Sequence, residues 1–167
     1  APQPLHFTMP KKGKLSDLIH SPESGGRPKG GANSESGKIP SIGAEFITRD
    51  GRLRFAGMKF IPKEYFDNMN SGILHLGDVL ICKDGALTGK VAFYDTTPFK
   101  EAAVNEHVFI LRPNNGDSAK FIFYVIQSDA GQNKVRKIMT GSAQPGINTT
   151  FPKYFDLLIP SKKEQEK

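Results

Sequence analysis

The chain has 167 residues, of which 37% are hydrophobic and 24% are charged, proportions that are typical of a folded globular domain. Lys and Arg number 23 against 17 Asp and Glu, and the net charge of +6 favours a polyanionic partner such as nucleic acid. The single cysteine excludes an internal disulfide and predicts a cytoplasmic location, and no apolar run approaches the ~20 residues of a membrane span.

The N-terminal part of the chain is predicted to contain short elements joined by loops. Residues 1–13 are Pro-rich and are interpreted as an N-terminal extension. One helical turn is predicted in KLSDLIH at 14–20, with Ser16 as its cap. A polar, glycine-rich loop spans 21–37. The run IPSIGAEFI at 39–47 has the length and apolar content of a strand.

The middle of the chain is predicted to hold a hairpin, a strand and the longest helical region. A short helix is predicted within 61–71, because a proline is tolerated in its first turn. Apolar runs on either side of an Asp-Gly turn predict a β-hairpin over 78–95, and HVFILRP at 107–113 predicts another strand. Apolar residues at three- to four-residue spacing predict a helical region over 118–139, which Gly131 breaks into two helices.

The order of these elements predicts the fold class. FDLLIP at 155–160 is the last predicted strand, and the charged tail at 161–167 contains helix-forming residues. Strands and helices do not alternate regularly, so a parallel Rossmann-type sheet is not expected. We expect an α/β fold of the mixed, α+β-like kind, with a single domain over 14–160. It would contain a twisted, mostly antiparallel sheet or a partial β-barrel, flanked by a few helices.

The sequence offers no strong catalytic or cofactor pattern. GRPKGG at 26–31 does not fit the phosphate loops GxxxxGK[ST] or GxGxxG, and the four histidines lack metal-ligand spacing, so no cofactor and no metal site are predicted. Asp84 and Glu106 leave a metal-dependent nuclease open, although the lysine that usually follows such an acid by two residues is absent. Cys82 with His107 leaves a nucleophile pair open, although the run VLIC predicts a buried, unactivated thiol.

Three basic or amide-rich segments favour binding to double-stranded DNA. Arg and Lys suit guanine edges and phosphates, Gln and Asn suit adenine edges, and glycines let the backbone approach the duplex. Each segment alone also fits a solvated loop, and part of the charge lies near the two ends of the chain. Together, without a catalytic set, the three favour binding. The candidate residues are Arg27 and Lys29 in the first segment, Arg49, Arg52 and Arg54 in the second, and Ser142, Gln144 and Asn148 in the third. Lys83 and Lys90, at the tip of the predicted hairpin, are added as phosphate contacts.

Three stretches in a fixed order are more specific than any single loop. They are GDVLICKDG and GKVAF within 77–93, NEHVFILRP at 105–113 and GSAQPGIN at 141–148. KLSDLI, GGRPKGG, KFIPKEYF, FIFYVIQSDAGQ and FDLLIPSKKEQ extend the match over nearly the whole chain. In this combination the chain resembles the target-recognition domain of the DNA-specificity subunit of type I restriction–modification systems.

The resemblance implies a non-catalytic module that reads one half of a split DNA target. In the family, a helix after this domain sets the distance to a second domain and docks adenine-specific DNA methyltransferase subunits, and through them a restriction/translocase subunit. The sequence itself contains no Asn-Pro-Pro-Tyr methyltransferase motif.

This chain departs from the family pattern, because it carries one recognition domain and, at 161–167, only the start of a spacer helix. It therefore fits an excised domain, a half-length subunit or part of a fused enzyme. Two readings of the loops also stay open. The loop at 139–149 either contacts DNA or is scaffolding, with Gln144 fixing the loop and base readout left to 49–59.

Overall fold

The computed structural model of the protein describes residues 1, 8–34, 39–141, 143 and 145–167. Nine β-strands and four α-helices lie within these ranges. The strands are β1 (Lys11–Lys14), β2 (Glu23–Ser24), β3 (Ile39–Ile42), β4 (Phe60–Ile61), β5 (Asp78–Cys82), β6 (Val91–Tyr94), β7 (Ala103–Val104), β8 (Val108–Leu111) and β9 (Asp156–Ile159). The helices are α1 (Lys63–Asp67), α2 (Ala119–Gln127), α3 (Asp129–Ile138) and α4 (Lys162–Gln165). Short 3₁₀ turns are formed by Leu15–Asp17, Ala44–Phe46 and Phe151–Tyr154.

The central sheet contains four antiparallel strands in the order β2–β8–β5–β6. Its middle is the predicted hairpin, in which β5 pairs with β6. Successive side chains of a strand point to opposite faces, so Val79 and Ile81 pack in one hydrophobic cluster while Leu80 and Cys82 pack in another. All four are 0% exposed. Burial on both faces explains why this strand reads as a continuous apolar run.

Different layers cover the two faces of the central sheet. On one face, Ile122 and Ile126 of α2 and Val135 of α3 join the cluster that contains Val79. On the other face, Phe46 of the second 3₁₀ turn packs with residues of β3 and β7. Strands β4, β3 and β7 form a three-stranded sheet in which β3 and β7 run parallel. β1 pairs separately with β9 and ties the N-terminal segment to the last strand.

This architecture confirms the expected fold class. The domain is mixed α/β and α+β-like, with mostly antiparallel strand pairing and helices that flank the sheet. The strands are divided among three small sheets, and none of those traced in the described ranges closes into a barrel. In the same ranges, every helix is too short or too polar to cross a membrane.

The predicted break of the long helical region at Gly131 is wrong, because the break lies at Ser128. The backbone of Ser128 is extended (φ −60°, ψ 155°), and its hydroxyl accepts a hydrogen bond from the Gly131 N–H at 3.1 Å, which caps α3. Gly131 lies in the first turn of α3. A Cβ there would sit 2.0 Å from the Val125 carbonyl oxygen, so this glycine permits the close approach of the two helices.

Two further local predictions are corrected near the N-terminus. The first turn begins at Leu15 with Lys14 as its N-cap, and the carboxylate of Asp17 accepts the Lys14 backbone N–H at 2.8 Å; Ser16 is not the cap. The strand predicted over 39–47 ends at Ile42, where the Ala44–Phe46 turn redirects the chain. The turn buries Phe46, and this explains why the segment is apolar beyond the strand.

Candidate nucleic-acid interface

Five segments that are far apart in sequence meet at one end of the central sheet, and we call this group the loop end. It consists of residues 25–29, 43–45, 83–90, 105–107 and 145–148. Backbone hydrogen bonds join them, from Gly25 N–H to Asn105 C=O (3.3 Å), Asn105 N–H to Ile42 C=O (3.0 Å), Lys83 N–H to His107 C=O (3.0 Å), Ile147 N–H to Lys83 C=O (2.8 Å) and Gly85 N–H to Pro145 C=O (3.2 Å). The first predicted loop, the hairpin tip and part of the third loop are thereby brought together.

Two glycines permit the close packing of the loop end. A Cβ on Gly146 would lie 2.9 Å from the backbone oxygen of Lys83, and a Cβ on Gly25 would lie 1.9 Å from the backbone oxygen of Val104. Any side chain at either position would force the backbones apart. The second glycine of GSAQPGIN is therefore needed for packing against the hairpin tip.

A chain of charged side chains links three segments of the loop end, and we call it the charged chain. Arg27 Nε lies 3.0 Å from both carboxylate oxygens of Glu106, and Arg27 Nη2 donates a further hydrogen bond to Oε1. His107 Nε2 is 3.7 Å from Glu106 Oε1, and His107 Nδ1 is 2.7 Å from Asp84 Oδ1. The four side chains are 32% to 46% exposed, so the charged chain lies at the surface.

The contact between Arg27 and Glu106 shifts the ionisation of both groups. The hydrogen bond from the guanidinium lowers the pKa of Glu106 below its usual value. The same hydrogen bond raises the pKa of Arg27. Both groups are therefore held in their charged forms at neutral pH.

Three other candidates of the loop end also have local contacts. Lys83 is half-buried, with Nζ 5.2 Å from the centre of the Phe109 ring. Lys90 is half-buried at the base of the hairpin tip. Asn148 is exposed, and its Oδ1 accepts hydrogen bonds from the backbone N–H (2.9 Å) and the hydroxyl (2.6 Å) of Thr150. Asn148 therefore stabilises the turn that follows the loop.

The remaining candidates of the first and third loops differ in what the structure describes. Lys29 is exposed and lies in a turn closed by a 2.9 Å hydrogen bond from Gly31 N–H to Pro28 C=O. Ser142 and Gln144 lie outside the described residues, so their roles stay predictions.

The second predicted segment divides between two places. The turn that carries Arg49 and Arg52 packs against β6 and α2, since Phe93 N–H donates to Gly51 C=O at 3.2 Å and Gln127 Nε2 donates to Arg49 C=O at 2.9 Å. Arg52 is paired with Asp50 and lies outside the loop end. This turn lines a cleft of about 610 Å³ beside α2.

Arg54 belongs to the other half of that segment and faces the loop end. Its guanidinium lies 5.4 Å from the centre of the Phe46 ring, and Nη2 donates a 3.4 Å hydrogen bond to Glu45 C=O. Glu45 borders a depression of about 330 Å³ that Asp84 and His107 also line. Arg27, Lys83 and Asn148 thus belong to segments that meet at the loop end, and Arg54 contacts its border. Arg49 and Arg52 belong to a turn that packs elsewhere.

The residues of the two catalytic alternatives have other contacts. Asp84 contacts His107, and Glu106 contacts Arg27. In the parts of the chain that the structure describes, no group of three or more His, Cys, Asp or Glu side chains is arranged to hold a metal ion. Cys82 is 0% exposed, and burial raises its pKa to about 12, so its thiolate is strongly disfavoured.

Sequence reasoning singled out all four members of the charged chain but not their contacts. Asp84 and Glu106 were interpreted as metal-binding acids, His107 as the partner of Cys82 and Arg27 as a DNA contact. The pairing was missed because Arg27 lies 79 residues before Glu106 in the chain. The available signal was the neighbouring Glu106–His107 pair directly before a strand, which places two ionisable groups at a sheet end.

Comparisons with known proteins are consistent across sequence and fold. A family model described as the type I restriction modification DNA specificity domain matches residues 10–167. No curated protein sequence matches the chain. Similar solved structures include the S subunit of a type I restriction–modification system from M. genitalium (13% identity, TM-score 0.55, 99% of this chain and 38% of that one). They also include the HsdS subunit from Thermoanaerobacter tengcongensis (15% identity, TM-score 0.65, 99% of this chain and 36% of that one).

A third similar structure comes from work on complex assembly and conformational transition of the type I R-M system (14% identity, TM-score 0.67, 99% of this chain and 37% of that one). At these identities the likeness is one of fold. The chain spans between 36% and 38% of the length of the three structures.

Proposed function

The chain belongs to the family of type I restriction modification DNA specificity domains, and from this premise we propose that it is a sequence-specific, double-stranded DNA-binding module. In this proposal it reads one half of a split target for a restriction–modification methyltransferase/endonuclease complex and carries out no catalysis itself. DNA recognition follows from the description of the family; the half-target and the complex are the finer parts of the proposal.

The observation that carries the proposal is the convergence of five segments at the loop end. Loops supply most recognition residues when a rigid scaffold positions them. Here the scaffold is a sheet buried on both faces, and the backbone bonds between segments fix the loops against one another. These segments carry cationic and amide residues from three separate parts of the chain, Arg27, Lys83 and Asn148.

The residue types suggest a division of roles on DNA. Lys83 and Lys90 are proposed as phosphate contacts, because an ammonium group is a compact charge without the fork geometry that reads a base. Arg27, Lys29, Ser142, Gln144 and Asn148 are proposed as contacts to base edges or to the adjoining backbone. The alternative for base readout is the segment 49–59, which carries Arg49 and Arg52 beside α2 and Arg54 at the border of the loop end.

The partners follow from the same premise. We propose that the module works in the cytoplasm with an adenine-specific DNA methyltransferase subunit and, through it, with a restriction/translocase subunit. Residues 14–160 are the recognition domain in this proposal. The short α4 at its end is the start of the spacer helix, which would carry the contact to the methyltransferase.

Selection from a pool of random duplexes tests the proposal, run with and without a methyltransferase partner. The expected result is enrichment of one short motif, with an affinity that falls steeply as salt rises. Equal binding to every duplex at all salt concentrations contradicts sequence-specific recognition. No binding even at low salt indicates a protein-interaction module whose charge is incidental.

A second assay addresses the nuclease alternative. The protein is incubated with plasmid DNA and magnesium, beside the variant Asp84→Ala. We expect intact plasmid in both samples. Cleavage that the variant abolishes would replace the non-catalytic proposal with a nuclease that uses Asp84 and Glu106.

A further inference from the structure

Two carboxylates lie in the middle of the surface that is proposed to face DNA. Asp84 and Glu106 belong to the charged chain, in which Arg27 is the one residue with a permanent positive charge. The four side chains thus include two carboxylates and one guanidinium, in a protein whose formal net charge is +6. Carboxylates at this place repel DNA phosphates and therefore weaken binding. Their presence on a DNA-binding surface calls for a second role.

Holding the loops together does not account for these carboxylates. The segments they connect are already joined through the backbone, from Gly25 to Asn105 and from Lys83 to His107. Ion pairs whose side chains are a third to a half exposed contribute little to stability, because water screens them.

The geometry of Arg27 suggests a different effect. Arg27 directs Nε and Nη2 at the carboxylate of Glu106, and this is the fork with which a guanidinium binds a phosphate or the O6 and N7 of guanine. While Glu106 occupies that edge, a phosphate cannot. Both side chains are partly exposed, so solvent reaches the pair at the loop end.

We propose that Glu106 competes with DNA for Arg27 and so withholds this arginine from the backbone of duplexes that lack the target. The inference rests on the proposed function, since it assumes that the loop end faces DNA. Non-specific binding is almost wholly electrostatic, and each cation that Glu106 neutralises therefore lowers it. In the complex with the target sequence, Arg27 instead donates to acceptors on a base edge, which replace the Glu106 carboxylate.

The test uses the full chain and a fluorescent duplex of scrambled sequence, titrated by anisotropy at several salt concentrations. Glu106→Gln should raise the affinity for this duplex roughly threefold and steepen the slope of log K against log salt by about 0.9, as expected for one added phosphate contact. Arg27→Gln alone should bind this duplex no better than the parent, because it removes a cation and leaves the Glu106 carboxylate unpaired. The double variant Arg27→Gln/Glu106→Gln should lose the gain seen in Glu106→Gln, because it has no Arg27 to release.

The matched control is Glu101→Gln, which removes the same charge from an ion pair with Lys63 that has similar exposure. It should leave the affinity for the scrambled duplex close to that of the parent. Three results overturn the inference: Glu106→Gln binds no better than the parent, the double variant keeps the gain, or Glu101→Gln produces an equal gain. A parent protein that binds no duplex at all instead defeats the proposed function. Thermal unfolding of each variant shows whether its fold is intact.

Discussion

Asp78 and Arg112 form a two-bond ion pair inside the domain, with Arg112 Nε 2.9 Å from Asp78 Oδ1 and Arg112 Nη2 2.9 Å from Oδ2. The Asp78 carboxylate is 2% exposed and also accepts the His75 backbone N–H at 2.8 Å. Replacing Arg112 by Met removes the positive partner and leaves a buried negative charge. We expect Arg112→Met to lower the free energy of unfolding by about 3 kcal/mol, measured by urea denaturation.

The control for this prediction is Arg52→Met, because the Arg52 side chain is 84% exposed and its ion pair with Asp50 is long, at 3.6 Å. It should change the free energy of unfolding by less than about 0.5 kcal/mol. Equal effects of the two substitutions would mean that the buried pair has no special role in stability.

Lys83→Ala should weaken binding to target and scrambled duplexes by the same factor, because a phosphate contact carries no sequence information. The slope of log K against log salt should become shallower by about 0.9. Anisotropy titrations from low to physiological salt measure both quantities. Lys162→Ala is the control, since Lys162 belongs to α4 and donates to the Asn115 C=O outside the loop end. A change of preference among duplexes in Lys83→Ala would assign this lysine to base readout instead.

Gly146→Ala tests whether the loop at 145–148 must pack against the hairpin tip. The added Cβ would lie 2.9 Å from the Lys83 backbone oxygen and would disturb the 2.8 Å hydrogen bond from Ile147 N–H to the same oxygen. We expect a loss of stability of about 1–3 kcal/mol, together with weaker binding to the target duplex. Thr149→Ala, at the exposed position directly after this loop, should leave both unchanged. Normal DNA binding by Gly146→Ala would separate this loop from the interface.

Local patterns were sufficient to predict the central hairpin, because the apolar run of β5 and the Asp-Gly turn are both local signals. They were insufficient at Gly131, where the sequence does not distinguish a glycine that ends a helix from one that lets two helices approach. The helix break lies at Ser128, whose hydroxyl caps α3. Many serines that could cap a helix do not do so, and the sequence does not show which of them will.

The loop end was predicted only in part, for a related reason. Its loops were recognisable from composition, but their convergence depends on contacts between distant residues such as Gly25 and Asn105. In the sequence, Arg49 and Arg52 were candidates for DNA contacts on the same grounds as Arg27. The contacts of their turn with β6 and α2 place them away from the loop end. The acid–base partners of Asp84 and Glu106 likewise follow from tertiary contacts that no local pattern contains.

Cys82 provides a probe of the buried sheet and a pH-dependent prediction. Its side chain is 0% exposed, so an alkylating reagent at pH 8 should modify it only in urea and leave the native protein unmodified. Burial raises the pKa of the thiol to about 12 from the usual 9.0. The unfolded chain therefore loses the thiol proton first, and the stability contributed by the protonated, buried form is complete below pH 9 and is lost as pH rises toward 12.

The comparison that isolates this effect is Cys82→Ala, measured by urea denaturation from pH 7 to pH 11. Between pH 9 and pH 11 the free energy of unfolding should fall more steeply in the parent than in Cys82→Ala. Tyr94, whose pKa burial also raises, titrates in both proteins and cancels in the difference. Parallel curves for the two proteins would mean that the thiol ionises as readily in the native state as in the unfolded chain. Rapid alkylation of the native protein would lead to the same conclusion, because β5 would then expose Cys82 to solvent without global unfolding.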